Sequence, residues 1–218
     1  MKIFNNGSEE KTNTLIIINF ARFLFAGLII FEILNFLKIL QFNTQFTWLG
    51  LVITAIFCLA LLELSAYKYK QKKGHYLHWS VWIIATIALS LDAAGDFFHL
   101  YGNIIWWDQF VHYSVCAIIN FTLFAVINAF WIDKFKFSLL FKKGRLKLAL
   151  FLATASTVSL GALYEVEEYL EDVFFQTNRL GPGADTADDL TMNILGALTT
   201  VAIIYIYYLI THKRKIID

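Results

Sequence analysis

Asp108 and His112 stand four residues apart, as do Asp92 and Asp96, with His99 three further on. Glu165, Glu168 and Asp172 follow with steps of three and four, and Asp189 and Asn193 are again four apart. On a helix these intervals bring each set onto one face. Carboxylates mixed with imidazoles make a ligand set for Zn²⁺, Mn²⁺ or Fe²⁺, while oxygen-only sets suit Mg²⁺ or Ca²⁺. The candidate ligands of a divalent metal are therefore Asp96, His99, Asp108, His112 and Asp189. Glu165 and Glu168 are candidate general bases, and Asp92 a candidate proton carrier. Arg179 offers a planar fork to an anion, and Asn193 a neutral contact to the same substrate.

The same residues have plainer uses. Asp108 and Asp189 open helices, where a carboxylate meets free N–H groups and the positive end of the dipole. Asp185 and Asp188 fit a cap and its partner three residues on. Glu167, Glu171 and Asp172 suit a solvated surface, and Leu180-Gly181-Pro182-Gly183 reads as a turn beside an exposed Arg179. Tyr101, Trp106 and Trp107 suit an interfacial aromatic belt.

The elements that must position these residues are set by composition. Of 218 residues, 58% are hydrophobic and only 16% charged, against about 25% charged in an ordinary soluble domain. A bilayer absorbs that much apolar surface, whereas one soluble core of this size does not. A span needs roughly 20 apolar residues. Six segments qualify: 15–40, 47–67, 79–101, 108–131, 148–175 and 189–210. The reading is an all-α integral membrane protein. A cytoplasmic N-terminal segment, 1–14, leads into one transmembrane helical domain, 15–211, and a basic tail, 212–218. The first apolar run lacks a small-residue cleavage site and reads as a retained helix. Cys58 and Cys116 lie inside apolar runs and read as packed thiols.

Charge gives the orientation. Fifteen of the 18 Lys and Arg residues fall in the N-terminal segment, the second and fourth connections and the tail. With six spans these all lie on one side, which the positive-inside rule assigns to the cytoplasm along with both termini. The basic loops then orient the chain and meet anionic lipid, with no nucleic acid implied. Arg22 and Glu63 sit near cytoplasmic helix ends and can snorkel. Eleven of the 17 acids, those from Asp92 to Asp189 other than Asp133, sort to the opposite side. At 1.5 Å per residue, Asp92 is about 20 Å along the third span and Glu165 about 26 Å along the fifth. Four helices thus deliver polar groups to one depth. A charge facing lipid costs about 2.5–3.5 kcal/mol even on lenient scales, so these faces are expected to meet inside the bundle.

The segment Trp107-Asp108-Gln109-Phe110-Val111-His112, followed by Asp185-Thr186-Ala187-Asp188-Asp189-Leu190, resembles the YjdF-like inner-membrane proteins, which have no assigned activity. A wider pattern is similar to the VanZ-like proteins, with Asp108, His112, Glu165, Arg179, Asp189, Asn193 and Gly196 in the matching order. Glu168 stands where that pattern has glutamine, and the stretch from Glu168 to Asp189 is longer than the pattern's. The likeness covers about half of the chain, roughly 91–200, and implies a multi-pass protein of the inner membrane with a link to the cell envelope.

Three functions fit these residues. The first is a metal-assisted enzyme acting on a lipid or lipid-linked envelope precursor, or another anionic small molecule. The second is an ion-coupled transporter, for which the polar path toward the cytoplasm looks interrupted. The third is a cation-stabilised envelope scaffold. The residues fix neither which of these holds nor the oligomeric state.

Overall fold

The computed structural model describes residues 6–42, 48–131, 143–181 and 183–214. These form seven helices: α1 (Asn6–Phe36), α2 (Trp48–Lys73), α3 (Trp79–Phe97), α4 (Leu100–Asn103), α5 (Trp107–Trp131), α6 (Lys143–Phe175) and α7 (Asp185–Arg214). All but α4 are long and apolar enough to cross a membrane. The described residues contain no strand. Backbone polar groups in hydrocarbon must be satisfied within the segment, and helices do this. Pro182 of the expected turn, and Lys134, Lys136 and Lys142 of the fourth connection, lie outside the described residues.

Several boundaries differ from the sequence reading. The third span stops at Phe97 and not at 101, because His99 adopts a left-handed backbone, φ 53°, that a helix cannot continue. A separate single turn, α4, follows. The last helix begins at Asp185, four residues earlier than expected, and carries Asp185 and Asp188 in its first turn. Gly74, at φ 74°, ends α2, its N–H bonded to the Lys70 carbonyl at 2.8 Å. Only a residue without Cβ adopts that conformation freely.

α5 lies at the centre, packed on α7, α6 and α3, while α1 packs on α2 and α3. Two apolar cores result. One joins α1, α2 and α3 through Phe25, Ala55, Leu62 and Trp82. The other joins α5, α6 and α7 through Phe124, Ala149, Ala153 and Ile204. Close approach of α5 and α7 depends on Gly196: a Cβ there would strike the Tyr113 carbonyl, and Thr200 Oγ1 donates to the Ala117 carbonyl at 2.8 Å. Small residues at such crossings let backbones pack closely in a membrane.

The bundle has two contrasting ends. The start of α5, the start of α7 and the final third of α6 converge at one, which we call the acidic end. The opposite, basic end brings Arg22 of α1 to Glu63 of α2 and Trp82 of α3. Arg22 was expected to reach for lipid headgroups alone; instead Nε and Nη2 donate to the two Glu63 oxygens at 2.5 and 2.8 Å. Its guanidinium also lies 5.0 Å from the Trp82 ring centre.

Candidate metal centre

α5 begins at Trp107, so Asp108 and His112 stand one helical turn apart on the same face. α7 supplies Asp189 and Asn193 by the same interval, and α6 supplies Glu165. Their side chains converge on the His112 imidazole. Nε2 lies 3.6 Å from Asp108 Oδ1 and 3.9 Å from Asp189 Oδ2, and Nδ1 lies 3.7 Å from Glu165 Oε1. One ligand atom each from Asp108, His112 and Asp189 falls within 4.8 Å of the others. His112, Glu165, Asp189 and Asn193 are buried, and Asp108 is half-buried.

A second set of contacts fixes the ring. His112 Nδ1 is 3.2 Å from Asn193 Oδ1, and the Cys116 thiol donates to that same oxygen at 3.0 Å. An amide oxygen only accepts, so Nδ1 carries the hydrogen. In the neutral imidazole the lone pair then sits on Nε2, facing Asp108 and Asp189. A donor bond from the far ring nitrogen to a carbonyl is the usual support of a metal-bound histidine. Two ligands bonded tetrahedrally to Zn²⁺ at about 2.0–2.1 Å are roughly 3.3 Å apart. The two Nε2 separations, 3.6 and 3.9 Å, approach that value, and the group as a whole, within 4.8 Å, would have to draw in further. The donor set fits a divalent cation.

The acids here are short of partners. Both Glu165 oxygens and Asp189 Oδ1 are buried without a hydrogen bond. Buried carboxylates in that state are strongly unfavourable unless protons or a cation neutralise them.

Arg179 and its neighbours form an adjoining cluster. Expected as an exposed base, Arg179 is buried. Nη2 donates to Glu168 Oε1 at 2.9 Å and to the Tyr164 hydroxyl at 2.6 Å, and Nη1 to Glu171 Oε2 at 3.0 Å. Burial opposes the guanidinium charge, but Tyr164 and the carboxylates of Glu168, Glu167 and Asp92 outweigh it and hold it protonated well above its ordinary range. Glu171, read as a solvated surface acid, is therefore buried too. The Asp172 carboxylate organises the connection after α6, accepting from the Thr177 hydroxyl and from the backbone N–H groups of Arg179 and Leu180. That loop is built to deliver Arg179 inward. Gly50 of α2 completes the fit, since any Cβ there would strike the guanidinium.

The remaining candidates are not among the three grouped ligands. Asp92 accepts from the Tyr101 hydroxyl at 2.8 Å. Burial and that carboxylate push the Tyr101 phenol well above its usual range, which keeps it a donor. Asp96 is buried near the end of α3, outside the Asp108–His112–Asp189 group. His99 leaves the helix, so the shared face drawn through Asp92, Asp96 and His99 stops at Asp96. Asn193, proposed as a substrate contact, holds His112. The sequence reading passed over Glu32, a fully buried acid of α1. The signal was present: one carboxylate in an otherwise apolar stretch of a spanning helix.

The family model described as "Predicted membrane protein (DUF2238)" matches residues 20–209. The chain belongs to that family. The match runs through all six spanning helices and includes every residue of the His112 and Arg179 clusters. No curated protein matches the chain, and no solved structure does. The family description carries a membrane location and no activity, so chemistry has to be argued from the side chains.

Proposed function

We propose that the acidic end holds a divalent cation between Asp108, His112 and Asp189, and that the protein uses it to act on a lipid or lipid-linked envelope precursor. The observation that carries the reading is the Asn193–His112 contact, which leaves Nε2 facing two carboxylates. A divalent ion there would act as a Lewis acid and lower the proton affinity of a bound water. Glu165, beside His112 and without a hydrogen-bond partner, is placed to take a proton. Glu168 is less available as a base, because its Oε1 already serves Arg179. Arg179 in turn has Glu168, Glu171 and Tyr164 to hold, so an anionic group meets the cation and not the guanidinium. Asp92 and Tyr101 form a hydrogen-bonded pair able to pass a proton at the rim.

Basic residues gathered at the opposite end support an orientation with the acidic end outside and both termini in the cytoplasm. The exposed Trp106, Ile105 and Phe98 near the acidic end suit the headgroup layer. The YjdF-like resemblance agrees with the family, and the more distant VanZ-like one points to the cell envelope and an inner-membrane location.

The test is elemental analysis of protein purified without chelators, beside a His112→Ala/Asp189→Asn variant. Stoichiometric metal in the wild type that disappears in the folded variant is expected. Its absence from the wild type, with no uptake on reloading, would sink the proposal. If metal is present, chelator-sensitive release of phosphate from a lipid diphosphate presented in vesicles separates an enzyme from a scaffold.

A further inference from the structure

Glu32 of α1 is 0% exposed, and neither of its oxygens has a hydrogen-bond partner. It lies in the contact between α1 and α3, where Asp92 and Asp96 act on it electrostatically. Asp96 is itself 1% exposed. The residues flanking the two acids meet directly: the Phe31 and Phe97 rings pack edge to face at 5.3 Å between centres. Phe42 joins both, 5.6 Å from Phe31 and 6.1 Å from Phe97. Phe42 is drawn back onto α1 by Asn35, whose amide donates to the Phe42 carbonyl at 3.0 Å and accepts from its N–H at 2.5 Å. Three aromatic rings thus gather beside two buried carboxylates, and a specific pair of hydrogen bonds keeps them there.

No basic side chain among the described residues pairs with Glu32. A buried carboxylate without a partner is among the costliest groups to place in a membrane protein, and such residues mark cation and proton sites. We propose that Glu32 and Asp96 form a second site, separate from the His112 centre, which takes one monovalent cation, H⁺ or Na⁺. A divalent ion fits poorly. Ca²⁺ takes six to eight oxygens and Mg²⁺ keeps several waters, whereas Asn35 is already committed to Phe42 and Asp92 to Tyr101. One small positive charge suits Glu32, whose two buried oxygens accept no hydrogen bond, with Asp96 acting on it from α3. The charged groups that act on Glu32 are Asp92 and then Asp96, both of α3.

The full chain in lipid nanodiscs decides the matter. Melting temperature is followed in NaCl against choline chloride at equal ionic strength, and the protonated-carboxyl stretch is followed by infrared spectroscopy in H₂O and D₂O. A sodium site raises the melting temperature in NaCl alone. A proton site gives a carboxylic-acid band at neutral pH that shifts in D₂O. Either signature is expected to vanish in Glu32→Gln, with Asp96→Asn as the second variant should the first not fold. Divalent metal content in these variants is expected to stay at the wild-type level. Neither signature in the wild type, or one that survives both substitutions, overturns the proposal. Joint loss of the divalent metal overturns the separateness of the two sites.

Discussion

At the basic end Arg22 and Glu63 meet through two hydrogen bonds, with side chains 40% and 42% exposed. At the acidic end Arg179 meets Glu168 and Glu171 with all three side chains at most 10% exposed. Glu32, Glu165 and Asp189 are also buried, with oxygens that nothing donates to. Charge at the basic end is shared with water and neutralised locally, which is what a structural ion pair requires. Among the described residues the acidic end withdraws more acids than basic groups from water, a state that protonation or a bound cation relieves. In the mid-bundle the amides of Asn120 and Asn128 find backbone acceptors: Asn120 donates to the Ala197 carbonyl at 2.7 Å and Asn128 to the Phe124 carbonyl at 2.8 Å. Phe124, wholly buried, stands between them on α5.

This contrast can be broken most forcefully at Arg179. Replacement by Met strands Glu168 and Glu171 in a buried site, and removing one partner of a buried pair costs about 3–5 kcal/mol. The expected result is a large fall in thermal stability in detergent, much reduced when Glu168→Gln and Glu171→Gln are added. If Arg179→Met alone melts like the wild type, the acidic end is wetter than described. Next in size is Gly196→Ala, which forces a methyl against the Tyr113 carbonyl. Overpacking of this kind costs about 1–3 kcal/mol, and because α7 carries Asp189 and Asn193 it is expected to weaken metal retention as well. Stability lost with metal retained would show that the centre tolerates movement of α7. The smallest effect is expected at the basic end. Glu63→Gln removes one side of a half-exposed pair, worth at most about 1 kcal/mol, and a melting curve within a few degrees of wild type is the anticipated reading. A loss as large as that at Arg179 would erase the distinction between the ends.

Much of the site was legible before folding. The Asp108–His112 interval, the repeat of that interval at Asp189 and Asn193, and the common depth of Glu165 all follow from helical rise and the length of a span. The limits were equally physical. His99 was counted with Asp92 and Asp96 because a seven-residue interval suits a helix, but the helix ends at Phe97. Arg179 was read as exposed because it sits in a connection between spans. Its burial depends on Asp172 folding that connection inward and on Gly50 leaving room, neither of which spacing reports. Glu32 was overlooked because a lone acid has no periodic companion on its own helix; the acids that act on it are on α3.

Composition and periodicity by themselves determined that this chain forms six apolar helices, and charge sorting separated a basic end from an acidic one. Those properties are sums over local residues, and each helix expresses them whatever its neighbours do. Which acids share a pocket was decided only by tertiary packing. The rotation of α5 against α6 and α7 turns His112 toward Glu165 and Asn193, and the contact of α1 with α3 closes over Glu32. A helix exposes all of its faces until a neighbour covers one, so the choice of covered face belongs to the assembled bundle.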